Sequence, residues 1–431
     1  MAHPEDLRAK LARLRREPSP ARAEAAADVP PTPAPIPRLP EHLRARLMRA
    51  RPPAAAASGQ GGGAADDAPT QGGHAHGHPL VGDPPRTVGP PADLVVEAGP
   101  RGPFAARTTG AQVQDSHGAW RYAEARAVDP DVFALLTGDP TLGAVDLSRA
   151  VYLDTETTGL EGGAGTYVFL VGLGWFEGER FVVQQSFLRG PEDEAALLAA
   201  VAERIAAAPA VVSFFGKVFD RHRLEDKMRV HGVTPPFAGR AHLDLCFPFR
   251  RLTKGALPNA RLQTMERHLV GLERSDDMPG ALAPAAWFDY LADRAHRLEG
   301  VFRHNLDDVR SLVILAAYLG RVTQESRATG AQLAGPPAQR ALALARAFAD
   351  RREDARALEW YARLFAPPLS EAGLAEGDLD RARIAVGRLE RRLARSSRAA
   401  GAARTGRNGL NGLNGRSGEG GPEPNGPRVA P

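Results

Sequence analysis

The sequence predicts an α/β fold in which helices flank a mixed β-sheet. Three apolar runs of strand length follow one another between residues 150 and 188, and later runs alternate with stretches of helical periodicity. This order is typical of a mixed sheet covered by helices rather than of a sandwich of two sheets. The first run ends in two carboxylates one position apart, which a buried strand has no structural reason to carry.

The elements of this region can be placed in order along the chain. The predicted strands cover residues 150–155, 166–176, 180–188, 210–214 and 241–246. A glycine-rich turn from Gly159 to Gly165 joins the first two strands. Helices are predicted at 192–207, where Pro191 and acidic residues open the first turn, and at 220–231. Three or four further helices are expected to end near residue 320.

Composition separates a folded middle from a low-complexity arm. Residues 1–95 are rich in Pro, Ala and Gly and contain short amphipathic stretches at 4–16 and 39–47. Such a segment lacks the apolar surface that offsets the entropy of ordering, so we expect it to be largely disordered. The region 96–330 is long enough to form one domain with a substantial core, and it begins with short strands and turns.

The chain after this domain is helical and rich in arginine. In the region 335–395, helices are predicted at 341–350 and 355–365. Their alanines and aromatics resemble one tetratricopeptide unit, although a helical cap on the main domain explains the pattern equally well. These helices are a candidate surface for a protein partner. The tail at 396–431 repeats Asn-Gly and is expected to be disordered.

Charge and cysteine content restrict the class of protein. The net charge of +4 and the pI near 9.4 are compatible with a nucleic-acid partner but do not require one. Cys246 is the only cysteine of the 431 residues, which excludes an intrachain disulfide and a cysteine-cluster zinc site. The amino-terminal residues lack a signal pattern and no apolar run is long enough to span a membrane, so a cytoplasmic protein is expected.

Asp154 and Glu156, at the end of the first strand, are the most informative residues of the chain. Side chains alternate along a strand, so both carboxylates point to the same side. Two neighbouring carboxylates repel each other and are costly to desolvate, and a divalent cation with oxygen ligands removes that cost. An acidic pair that faces solvent, or that caps the next helix, is the structural alternative.

Further acidic residues follow later in the chain. Asp220 comes after another apolar strand and a glycine-containing loop, although an aspartate at a helix start is often a simple cap. His304 and Asp308 are four residues apart on a predicted helix and therefore lie on one face of it. A solvated polar face, with Asp307 beside it, would also explain this second pair.

The order Asp-x-Glu, Phe-Asp, and His four residues before Asp resembles the acidic set of the DEDD 3′–5′ exonucleases, which have a ribonuclease-H-like fold. The chain is most similar to one branch of them, the YprB-like family of predicted exonucleases. The resemblance covers residues 96–320. It is carried by the segments Leu153 to Leu160, Gly163 to Tyr167, Phe169 to Gly174, Gly216 to Asp220, His242 to Leu245, Asp277 to Gly280 and His304-Asn305.

The resemblance implies a metal-dependent site. The family's metal ligands fall on the four acidic residues Asp154, Glu156, Asp220 and Asp308, which would hold two Mg²⁺ or Mn²⁺ ions. His304 takes the position of the residue that orients or deprotonates the attacking water. With an ordinary pKa near 6.5, it is expected to accept that proton at neutral pH.

Three residues near these acids are candidates for substrate binding. Phe215 stands where many relatives have Asn, and its ring could stack on a base. Lys217 could neutralise a phosphate oxygen, although a surface lysine is an equally good interpretation. Thr157, in the first acidic motif, is the third candidate.

The leading functional prediction is hydrolysis of DNA or RNA from the 3′ end. A different class is a nuclease-like binding or scaffold protein with weak or no activity, which the Phe215 substitution and the long arms favour. A third possibility keeps the fold but makes the cleavage endonucleolytic. Exonuclease and endonuclease products differ, because an exonuclease shortens its substrate stepwise from one end.

Overall fold

The computed structural model describes residues 86–159, 165–275, 277–323, 333–365 and 374–411. The predicted amphipathic stretches at 4–16 and 39–47, and most of the glycine-rich turn after Gly159, lie outside these ranges. The fold is built on a sheet of seven strands with helices on both faces, which confirms the predicted mixed sheet. None of the described helices combines the length and apolar character needed to cross a bilayer.

The strands follow the predicted order. They are β1 (Val95–Gly99), β2 (Gly102–Gln112), β3 (Ser116–His117), β4 (Trp120–Arg121), β5 (Val151–Thr157), β6 (Val168–Glu177), β7 (Arg180–Phe187), β8 (Ala210–Ser213) and β9 (Ala241–Asp244). The order across the large sheet is β1-β2-β7-β6-β5-β8-β9, and β3 pairs with β4 separately. Neighbours from β1 to β5 are antiparallel, whereas β8 is parallel to both β5 and β9.

Helices cover this sheet and continue beyond it. They are α1 (Asp131–Thr137), α2 (Glu194–Ala206), α3 (Asp220–Val230), α4 (Cys246–Thr253), α5 (Leu262–Met265), α6 (Ala283–Leu291), α7 (Leu298–Arg321), α8 (Pro337–Asp350), α9 (Asp354–Phe365) and α10 (Glu376–Asn411). Short 3-10 segments lie at Tyr122–Ala127, Pro140–Ala144, Pro191–Asp193 and Gly280–Leu282, and a π-helical turn covers Glu266–Val270.

Successive side chains of β5 point to opposite faces of the sheet, and each face packs against one of the two halves of the core. Val151 and Leu153 face the half that is completed by residues of α2, α3 and α6. Tyr152 faces the other half, where residues of α1 and α4 pack. Residues of α8, α9 and α10 belong to this second half, so the carboxyl-terminal helices extend the core of the sheet domain rather than forming a separate one.

The long helix α7 lies close against the sheet because two glycines of β6 make room for it. A Cβ on Gly172 would come within 2.8 Å of Val309, and a Cβ on Gly174 would come within 2.7 Å of the same side chain. Gly172 pairs with Asp154 across the β5–β6 ladder. The close approach therefore brings α7, with His304 and Asp308, to the acidic end of β5.

Three features differ from the elements that the sequence predicted. Helix α1 was not predicted, since only short strands and turns were expected before residue 150. The described part of the predicted arm is attached to the domain, because Thr87 exchanges backbone hydrogen bonds of 2.9 and 2.8 Å with His296. Helix α10 continues to Asn411, past the predicted boundary at 396.

The glycine contact yields a stability prediction. We expect Gly172→Ala to lower the free energy of unfolding by about 1–3 kcal/mol, because the added methyl group overpacks the contact with Asn305 and Val309. Urea denaturation of the purified protein measures this change. Gly165→Ala is the matched control, since a Cβ there meets nothing within 4 Å. Equal stability of the two variants would contradict the tight α7 contact.

Candidate active site

The predicted site residues converge where the sheet and α7 meet. Asp154 and Glu156 come from β5, and the parallel pairing of β5 with β8 places the loop after β8 beside them. That loop ends at Asp220, the first residue of α3. His304 and Asp308 lie on α7. Strand ends and a crossing helix thus bring the predicted acidic residues into one electrostatic neighbourhood.

Burial and mutual repulsion oppose ionisation of the carboxyls. Burial, followed by the charges of Asp308, Asp220 and Glu156, raises the pKa of Asp154 well above its ordinary range. Burial likewise raises the pKa of Glu156 to about 8 and that of Asp220 to about 7, with Asp308 adding to both shifts. These carboxyls therefore favour the protonated form unless a cation compensates their charge.

Two hydrogen bonds orient these acids. The Asn305 amide donates to Asp154 Oδ2 at 2.7 Å, and Gln185 in turn donates to Asn305 Oδ1 at 2.9 Å. The Thr155 hydroxyl donates to Asp220 Oδ1 and so connects β5 to the start of α3. Asn305 and Gln185 are buried, and the sequence alone did not single out either as part of the site.

Arg274 neutralises the fourth acid of the set. Its Nη2 lies 2.5 Å from Asp308 Oδ1 and 2.5 Å from Glu266 Oε1, and its side chain is only 6% exposed. Burial opposes its charge, but Asp308 and Glu266 more than compensate and raise the pKa of the guanidinium. Sequence reasoning missed Arg274 and Glu266 because they are brought to α7 by tertiary folding and belong to no recognisable motif.

His304 is held by an acid from another part of the chain. Its Nδ1 lies 2.8 Å from Asp277 Oδ1, and its Nε2 lies 3.7 Å from Asp308 Oδ2. Burial would lower the pKa of His304, but the bond to Asp277 and the charges of Asp308 and Glu156 raise it to about 9. The prediction of an ordinary histidine pKa is therefore wrong, since the surrounding carboxylates favour the imidazolium.

The donor set fits a hard divalent cation. Within the described ranges, no group of three or more His, Cys, Asp or Glu side chains lies close enough together to hold a metal ion. The chemistry of the site nevertheless fits, because Asp154, Glu156 and Asp220 are oxygen donors whose ionisation is opposed by burial and by the charges of neighbouring acids. Asp308 differs from these three, since it is already paired with Arg274.

The predicted substrate-binding residues lie around the loop after β8 and at the end of β5. Phe215 is exposed, and its backbone N–H donates to Asp244 Oδ1 at 2.7 Å. The Lys217 side chain is also exposed, whereas its backbone N–H donates to Asp244 Oδ2 at 3.1 Å. Thr157 is half-buried and donates its hydroxyl hydrogen to the carbonyl of Gly159 at 3.0 Å.

Comparison with known proteins agrees with this architecture. Residues 151–320 match the RNase_H superfamily model, which confirms the predicted ribonuclease-H-like fold and the family resemblance. The uncharacterized protein YprB of Bacillus subtilis (strain 168) is 31% identical over 231 residues, covering 53% of this chain and 54% of the relative. The chain therefore spans about half the length of this relative.

Among solved structures, a family B DNA polymerase from the hyperthermophilic archaeon Pyrobaculum calidifontis is similar to part of the chain. The alignment has a TM-score of 0.33 and 19% sequence identity, and it covers 47% of this chain and 29% of the polymerase.

The raised carboxyl pKa values predict how the metal-free protein responds to pH. The pKa of Glu156 rises from 4.5 to about 8, so its ionisation costs stability that is absent below pH 4.5 and grows as the pH approaches 8. We expect Glu156→Gln to be more stable than the wild type at pH 8, by on the order of 4 kcal/mol, and to approach wild-type stability below pH 4.5.

Thermal melts in EDTA across this pH range measure the difference. Glu203→Gln, at an exposed position of α2, is the matched control and should follow the wild-type curve. Added Mg²⁺ should stabilise the wild type more than Glu156→Gln. Parallel pH curves for wild type and Glu156→Gln would contradict the raised pKa.

The Arg274 cluster predicts a strong coupling between its members. Arg274→Met leaves Glu266, which is 1% exposed, without its partner, and we expect a loss of about 3–5 kcal/mol in the free energy of unfolding. The double variant Glu266→Gln with Arg274→Met should regain a large part of that loss. Urea denaturation of the wild type, the two single variants and the double variant gives the coupling energy.

Arg229→Met is the control for this cycle. Its side chain is 57% exposed, and its partner Glu225 keeps a second ion pair with Arg221, so the loss of Arg229 should cost less than about 1 kcal/mol. Strictly additive effects of Arg274→Met and Glu266→Gln would show that the buried pair contributes no coupling.

Proposed function

We propose that this chain, whose residues 151–320 match the RNase_H superfamily model, is a metal-dependent nuclease that removes nucleotides from the 3′ end of DNA or RNA. The observation that carries the proposal is the convergence of Asp154, Glu156 and Asp220 with the His304–Asp308 pair of α7. The order of these residues along the chain, which resembles that of the DEDD exonucleases, supports the 3′–5′ direction.

The acidic residues are proposed to hold two divalent cations. Asp154, Glu156 and Asp220 would be the main ligands, and Asp308 would be shared with Arg274. Mg²⁺ or Mn²⁺ bound there would supply Lewis acidity at the phosphate and lower the pKa of a bound water. Asn305 and Thr155 keep two of the carboxylates oriented, so that little reorganisation is needed when the charge is compensated.

His304 is proposed to orient the attacking water and to accept its proton. Asp277 fixes the imidazole through Nδ1, which leaves Nε2 on the side of Asp308. The same carboxylates that favour the imidazolium are those proposed to bind cations. Compensation of their charge would bring the pKa of His304 down towards the range in which it can accept a proton.

Removal of one ligand tests the proposed activity. We expect Asp154→Asn to lower the rate of hydrolysis at least about a hundredfold, because the lost ligand is worth several kcal/mol of charge stabilisation. The assay follows 5′-labelled single-stranded DNA and RNA of equal sequence with Mg²⁺, Mn²⁺ or EDTA. A ladder that shortens stepwise from the 3′ end, and only with metal, is the expected wild-type result.

Asp226→Asn is the matched control, because this exposed aspartate of α3 forms only a surface ion pair with Arg229. It should retain wild-type activity. Internal fragments in place of a ladder would indicate an endonuclease. A wild type that binds both strands but degrades neither would support the alternative of a nucleic-acid-binding or scaffold protein.

A further inference from the structure

Two exposed aromatic side chains touch each other on the loops next to the candidate active site. Phe215 is 47% exposed and Phe247 is 40% exposed, with ring centroids 6.4 Å apart and planes inclined by 41°. Among the Phe, Tyr and Trp residues that the structure describes, these are the two exposed ones. Exposed apolar surface of this kind is unfavourable in water, so two such rings in contact indicate a binding role.

The backbone of Phe215 is strained. Its φ of +63° lies in the left-handed region, which non-glycine residues rarely adopt. Asp93 and Asp293 also adopt such angles, but a short polar side chain can stabilise them by local hydrogen bonds. A phenyl ring has no such compensation. Strained backbone of this type clusters at sites of ligand binding.

One buried carboxylate holds both rings in place. Asp244 accepts hydrogen bonds from the backbone N–H of Phe215 at 2.7 Å and from that of Lys217 at 3.1 Å. It also accepts the N–H of Cys246, the residue before Phe247, at 3.1 Å. Asp244 thus fastens the loop after β8 to the start of α4, so the backbone segments that carry the two rings are held together before any ligand arrives.

The aromatic pair lies beside the site carboxylates. The residue after Phe215 is Gly216, where a Cβ would come within 2.7 Å of Asp220 Oδ2. The loop therefore packs directly on a proposed metal ligand. The next residue, Lys217, is exposed and adds a positive charge on the same loop.

We propose that Phe215 and Phe247 form a stacking platform for an unpaired nucleobase at the 3′ end of the strand being degraded. This inference rests on the proposed nuclease function and specifies its substrate as a single-stranded end. Aromatic rings stack on any base, so the platform would bind without sequence preference. A base inside a duplex is already stacked and paired, and it would have to leave the helix to reach the platform.

The test compares two single-stranded oligonucleotides that differ only in the terminal base. Each carries a 5′ fluorophore, and one has an abasic 3′-terminal nucleotide. Binding is measured by fluorescence anisotropy with Ca²⁺ in place of Mg²⁺. We expect Phe215→Leu and Phe247→Leu to weaken binding of the intact strand at least about fivefold, and to leave binding of the abasic strand at the wild-type level.

Two further variants separate stacking from structural damage. Phe215→Gly removes the strain at φ +63°, so its melting temperature should not fall although its affinity for the intact strand does. Phe215→Trp keeps a stacking ring and should retain the discrimination between intact and abasic strands. Val230→Ala, at another apolar residue that is 47% exposed, should bind both strands as the wild type does.

The outcomes separate this inference from the proposed function. Equal loss of affinity for the intact and abasic strands, or no loss at all, in a protein that hydrolyses nucleic acid would overturn the platform alone. A wild type that binds and hydrolyses neither strand would overturn both proposals.

Discussion

Excess negative charge at the end of β5 is the constraint on which this part of the structure depends. Burial and repulsion raise the pKa values of Asp154, Glu156 and Asp220 together. A fold selected only for stability would not keep these three acids in one place. Their proximity is consistent with the proposed cation site, in which a bound cation would compensate the charge that opposes their ionisation.

Neighbouring elements stabilise the group of acids through a hydrogen bond and an ion pair. The glycines of β6 allow α7 to approach, and the approach places Asn305 against Asp154. Arg274 also pairs with Asp308, with Nη2 lying 2.5 Å from Oδ1. The positive charges are unevenly placed, because the guanidinium pairs directly with Asp308 whereas the imidazolium of His304 favours ionisation of Glu156.

The residues that sequence reasoning identified are those with a local signature. Alternation along β5 was enough to place two carboxylates on one side, and the four-residue spacing placed His304 and Asp308 on one helical face. Arg274 and Phe247 have no such signature, because their partners are distant in the chain. The same reason explains part of the error on His304, whose pKa is raised by Asp277 and Glu156 from other parts of the chain as well as by Asp308 of its own helix.

Asp244 and Asp220 show how a structural acid differs from a functional one. Both are buried, and each is linked to the apolar end of a short strand, so only the family resemblance distinguishes them in the sequence. The carboxylate of Asp244 accepts three backbone N–H groups and clamps two loops, which leaves it little capacity for a ligand. Asp220 accepts the Thr155 hydroxyl and faces other acids. The two buried acids therefore differ in the number of hydrogen bonds that their carboxylates accept, and not in burial. Asp244 positions the loops of the site, whereas Asp220 keeps the capacity to bind a ligand within it.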